Sequence, residues 1–154
     1  MRYSIDTSAL VDWWVRYYPP QSFPTLVKHV EALIAAGDLR ASKEVLEELQ
    51  RQDDDLNKWA KDHPALFVED SDPVQDAVTA LMDKYFNQDK PDKGINGADP
   101  FVIGLAMTSN PVLTVVSGEK PGSAENPKIP YVCGQDKVPH ITFLGLIQAE
   151  GWQL

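Results

Sequence analysis
Apolar positions along the chain alternate between short β-type runs and stripes at helical spacing. Tyr3-Ser4-Ile5 reads as a first strand, followed by a loop and a helix from about Ser8 to Tyr18. Pro19, Pro20 and Pro24 must break that helix, because proline has no N–H to donate and its ring clashes with the preceding turn. Phe23, Leu26, Val27, Val30, Leu33 and Ile34 share one face of a second helix, which Gly37 ends. Leu39-Arg40-Ala41 predicts a short strand, and Ser42 caps one long helix carrying Val45, Leu49, Leu56 and Trp59. A short extended piece at Leu66-Phe67-Val68 precedes a helix opened by Asp72-Pro73. Its inward face is Val74, Ala77, Val78, Leu81, Met82 and Tyr85.

Residues 87–97 form the clearest loop, rich in Asn, Asp, Gly and Lys. Asp99-Pro100 then starts a helix that is apolar nearly all round, the mark of a centrally buried element. Val112 to Val116 is the best strand pattern, continuously apolar and β-branched as a parallel strand covered on both faces would be. A loop from Gly118 to Pro127, a short strand near Ile129 to Val132 and a last helix from about Thr142 to Glu150 complete the reading. Strands alternating with helices imply βα units. The expected fold is α/β, a three-layer α/β/α sandwich with a central, mostly parallel sheet, as one domain over residues 1–154.

Composition fits that picture and narrows the chemistry. A hydrophobic fraction of 43% with four Trp supports a packed core. The lone Cys133 leaves no internal disulfide and no cysteine-rich zinc site, and His29, His63 and His140 show no ligand spacing. The sequence has no apolar signal region and no run long enough to span a membrane, so a reducing cytoplasm is the expected setting. The net charge of −9 is uneven, with 15 acidic against 8 basic residues in 1–77 and 8 against 6 in 78–154. Such a chain repels nucleic acid except where metal ions and a few lysines overcome the field, and it also suits a basic partner protein.

Ligand sites in parallel α/β sheets form at the carboxyl ends of strands, and acidic residues fall there. Asp6 directly follows the first strand, Glu119 follows Val112–Val116 by a short turn, and Asp99 opens the buried helix before that strand. Glu48 lies in the second turn of the helix after Leu39–Ala41, with Glu44 an equally placed rival. Each also has a purely structural reading. Asp6 and Asp99 fit helix caps, Glu48 a solvated helix face, Glu119 a surface turn, and Asp53-Asp54-Asp55 another solvated face. A cluster of four carboxylates has a chemical use, since magnesium takes oxygen ligands and one or two such ions activate water for phosphodiester cleavage.

The ordered motifs resemble those of PIN domains. Ile5-Asp6-Thr7-Ser8-Ala9-Leu10 is similar to their opening motif, a strand ending in Asp followed by Thr or Ser. Ser42 through Glu48-Leu49 resembles the second, and Ala98-Asp99-Pro100-Phe101-Val102-Ile103-Gly104-Leu105-Ala106 the third. Val115-Val116-Ser117-Gly118-Glu119 stands where many members have a strand, Thr, any residue and Asp. Trp13-Trp14 and Gly151-Trp152 resemble an uncharacterised PIN-like group linked, like the VapC-type toxins, to toxin–antitoxin systems.

The resemblance implies a metal-dependent endoribonuclease using Mg²⁺ or Mn²⁺, with an RNA substrate, a cognate antitoxin protein and a homodimer as expected partners. Asp6, Glu48 and Asp99 would be metal ligands and Glu119 the fourth acid, with Ser8 and Ser117 supporting. The alternative is a non-catalytic PIN-like module that binds protein or RNA without cutting. An aspartyl-nucleophile phosphatase would need a second Asp two residues after Asp6, where Ser8 stands. Loop 87–97 is expected to be mobile and to border the site. Lys90, Lys93 and Lys120 would then be its cations, unless they serve only solubility. Trp13, Trp14 and Tyr17 are candidates for a dimer or antitoxin surface.

Overall fold
The computed structural model describes residues 1–86 and 88–154. Five parallel strands, β1 (Tyr3–Ile5), β2 (Leu39–Ser42), β3 (Phe67–Val68), β4 (Thr114–Val116) and β5 (His140–Ile141), form a sheet in the order β3-β2-β1-β4-β5. Tyr3 pairs with Leu39 on one side and Thr114 on the other, so β1 is central. The chain first builds outward from β1 to β3 and then returns to place β4 on β1's other edge. That reversal makes the carboxyl ends of β1 and β4 the topological switch point, where open α/β sheets form their crevice.

Helices flank the sheet: α1 (Thr7–Val11), α2 (Pro24–Ala35), α3 (Lys43–Leu49), α4 (Asp54–Lys61), α5 (Asp72–Tyr85), α6 (Asp99–Thr108), α7 (Ile129–Gln135) and α8 (Phe143–Glu150). The all-apolar α6 lies against β1, β2 and β4 and is covered by α5. Gly104 lies at that contact, where a Cβ would sit 3.4 Å from the Val74 carbonyl oxygen, in ordinary packing distance. Ile5, Leu39, Val102, Ile103, Val115 and Val116 are fully buried between these layers.

Three expectations are corrected. The helix expected to run on from Ser42 is two helices, broken where Asp53 caps α4 by accepting from Leu56 N at 3.0 Å. Leu49 and Leu56 are seven residues apart, so the apolar period runs through the break unchanged. Ile129 to Val132 is the first turn of α7 rather than a strand; Pro130 suits that position, and Ile129, Val132 and Cys133 are buried at helical spacing. The fifth strand is His140–Ile141 instead. Finally, Trp13 is buried rather than surface-forming. Its ring stacks on Phe143 at 5.9 Å and meets Trp59 edge-on at 4.9 Å, while Trp14 packs half-buried on Trp59. Tyr17 alone of the three stands in solvent.

The first helix keeps its expected span but changes pitch. After α1, residues Asp12–Tyr17 form a π-helical stretch closed by the bond from Tyr18 N to the Trp13 carbonyl at 3.1 Å. Of the expected loop, Asn87 lies outside the described residues; 88–97 are turns and bends anchored by the buried Ile95 and by Gly94 N donating to Asn126 Oδ1 at 2.7 Å. Among the described residues no helix is long and apolar enough to cross a membrane.

Candidate metal centre at the switch point
Asp6, Asp99 and Glu119 converge at the carboxyl ends of β1 and β4, each offering a carboxylate oxygen within 4.8 Å of the other two. Asp6 leaves β1 in extended conformation and caps α1: its Oδ2 accepts from Ser8 N at 3.1 Å and from the Ser8 hydroxyl at 2.6 Å. The cap uses only one oxygen. Oδ1 is buried with no hydrogen-bond partner among the described residues. Asp99 is not the cap of α6; Ala98 holds that place, and the Asp99 carboxylate turns back to accept from Asn96 N at 3.2 Å. Glu119 accepts at Oε2 from Ile129 N, the first amide of α7, at 3.2 Å.

Glu48 lines the same cavity, of about 240 Å³, but stands beside the three-carboxylate group. The Thr7 hydroxyl donates to its Oε1 at 2.8 Å. Its Oε2 lies under Gly97, where a Cβ would fall 2.9 Å away, and Gly97 has φ +55°. The rival Glu44 points elsewhere, sharing the Ser42 hydroxyl with Asp70 at the neighbouring strand end. Ser8 joins the two loops, since its hydroxyl oxygen also accepts from Gly118 N at 2.9 Å. Ser117 is buried with its hydroxyl on His140 Nε2 at 2.7 Å, away from the carboxylates.

Burial, opposed by the Ser8 bonds and reinforced by Glu119 and Glu48, pushes Asp6 up to about 7. Burial together with the charges of Asp6 and Glu119 pushes Asp99 up to about 9. The protons belong to the group rather than to single residues. Without a cation the cluster holds them; with one, the carboxylates ionise. An oxygen-only donor set, convergent carboxylates and the orphaned Asp6 Oδ1 fit a divalent ion such as magnesium or manganese.

The cations on the cavity rim are Arg16 and Lys128, with Asn96, Gln52 and Thr7 also lining it. Lys90 lines a different cavity with Lys84 and Glu125, and neither Lys93 nor Lys120 lines the carboxylate site. Arg16 comes from the π-helical stretch and Lys128 precedes α7. Neither was among the expected cations, because the π pitch and the misread α7 hid which way those segments face.

The architecture is a PIN-like α/β/α sandwich. The chain superposes on a chain of the crystal structure of VapBC2 from Rickettsia felis bound to a DNA fragment from their promoter, with 16% identity and a TM-score of 0.56, covering 92% of this chain and 98% of that one. At that identity the likeness is one of fold. The chain belongs to the family described as a domain of unknown function, DUF4411, whose model matches residues 3–154. No curated protein matches it.

Proposed function
We propose that the chain is a divalent-metal-dependent endoribonuclease and the toxin member of a toxin–antitoxin pair. The observation that carries this reading is the convergence of Asp6, Asp99 and Glu119 around the unpartnered Asp6 Oδ1. When bound, a magnesium or manganese ion supplies a Lewis acid that activates water and offsets charge on the phosphate.

The chain's own residues set the geometry. Ser8, Asn96 N and Ile129 N each fix one oxygen of Asp6, Asp99 and Glu119, leaving the others to face the ion. Glu48, held by Thr7, orients water at the edge of the group. Arg16 and Lys128 draw the phosphodiester onto a cavity otherwise lined by acids. The antitoxin partner rests on the fold shared with the VapBC2 complex.

The test is cleavage of a mixed single-stranded RNA pool in Mn²⁺. Wild type cuts, EDTA stops it, and Asp99→Asn abolishes it with the fold retained. A folded wild type that binds a partner protein or RNA but never cuts in Mn²⁺ or Mg²⁺ overturns the reading in favour of a non-catalytic module.

A further inference from the structure
A second cavity, of about 370 Å³, adjoins the carboxylate site through Asp12 and Gly118 and is walled by Tyr17, Tyr18, Phe143 and Leu144. Two bonds join the linings of the cavities. Asp12 is buried and pairs with Arg16 at 3.2 Å, and Arg16 lines the carboxylate cavity. Gly118 N is held by Ser8, the residue that also fixes Asp6. A Cβ at Gly118 would fall 2.0 Å from Asp12 Oδ2, so a side chain there would displace the Asp12 carboxylate.

The outer wall is apolar and open to solvent. Tyr17 is 63% exposed and Leu144 50%. The π-helical stretch explains how Tyr17 comes to stand beside Asp12. Five residues along an α-helix would leave it about 140° round the axis, whereas the wider π turn brings positions five apart onto one face. Single π turns are frequent at functional sites.

We propose that this slot receives one unpaired nucleobase of a single-stranded RNA, next to the phosphodiester at the carboxylate site. The inference rests on the nuclease reading and names how its substrate is held. A flat ring stacks on Tyr17, as bases stack on aromatic platforms in single-strand binders. Its exocyclic amino group donates to the Asp12 carboxylate, while the adjoining phosphate passes Arg16. An apolar side chain from a partner protein would cover Asp12 Oδ2, the oxygen that Arg16 does not hold, and offer it no donor, a costly exchange. A base within a duplex cannot enter.

The experiment is fluorescence anisotropy of a labelled 12-nucleotide single-stranded RNA, titrated with the full chain in Ca²⁺, a cation with the same preference for oxygen ligands. Tyr17→Ala weakens binding roughly tenfold, as loss of one stacking platform does, and Tyr17→Phe binds like wild type. An abasic scan of the RNA then finds one position where wild type loses a similar factor and Tyr17→Ala loses nothing further. Equal binding by Tyr17→Ala, or an abasic scan with no such position, overturns the slot. So does a change in self-association by sedimentation with RNA binding untouched, which marks a protein interface. Cleavage in Mn²⁺ with a flat scan removes the slot and leaves the nuclease reading. A Tyr17-dependent abasic position without cleavage does the reverse. Neither cleavage nor binding removes both.

Discussion

Replacing Asp99 with asparagine separates a metal centre from a structural cap. With oxygens of Asp6, Asp99 and Glu119 within 4.8 Å of one another, each ionised pair repels by about 3 kcal/mol at an effective dielectric of ~20. Asp99→Asn removes two of the three repulsions and keeps an oxygen to accept from Asn96 N. In EDTA the variant is therefore more stable than wild type, and the gap grows with pH. Folded Asp99 ionises at about 9 against the 3.8 ordinary for a free aspartate. Between those values folded wild type holds a proton that the unfolded chain has released. Its stability falls as pH rises, by up to about 1.4 kcal/mol per pH unit for one proton, and levels off above the folded value. Manganese narrows the gap. At ~100 times its dissociation constant it adds about 2.7 kcal/mol to wild type, or roughly 5–10 °C in Tm, and nothing to the variant. The wild-type shift grows with pH because protons must leave before the ion binds. Thermal unfolding from pH 5 to 9, with EDTA or Mn²⁺, measures all of this. A variant less stable than wild type in EDTA at pH 8, with no manganese shift in either protein, would refute the reasoning.

Two further outcomes follow from single contacts. Gly97→Ala places a methyl 2.9 Å from Glu48 Oε2 at φ +55°; it costs about 1 kcal/mol of stability by thermal unfolding and lowers Mn²⁺-dependent cleavage further than that loss explains. Lys128→Ala removes a rim cation, so RNA binding weakens, the salt slope of log K falls by about 1 and Tm stays within about 1 °C.

Most of the fold was legible because its strands and helices differ in period. The β4 run and the all-apolar α6 are both largely buried but differ in length and period, and together with the Tyr3–Ile5 run they pointed to the parallel α/β class. The errors share a physical origin. Seven-residue spacing from Leu49 to Leu56 spans whole helical turns, so periodicity passes over the break that the Asp53 cap imposes. Ile129-Pro130-Tyr131-Val132 is short and apolar, and period alone cannot tell a buried strand from a buried turn of helix. The π pitch at Asp12–Tyr17 left no composition signal, yet it decides that Trp13 joins the core while Tyr17 stays outside.

At the site, the strand-end rule placed Asp6 and Glu119 because topology, which strand order expresses, determines where loops meet. Local sequence could not separate a cap from a ligand at Asp6, because the two readings concern different oxygens: one caps α1 and the other is orphaned among the described residues. Asp99 resolves differently, since capping would have required its side chain to face α6, and it faces Asn96 and the other carboxylates. The overall charge of −9 argued against nucleic acid as a partner, but that sum averages over the whole surface. Within the cavity, Asp6, Glu48, Asp99 and Glu119 face Arg16 and Lys128, an excess of two negative charges that one divalent ion cancels. Under the proposed function, attraction of a phosphodiester is a property of the metal-loaded site rather than of the chain, and net charge read from a sequence holds no information about it.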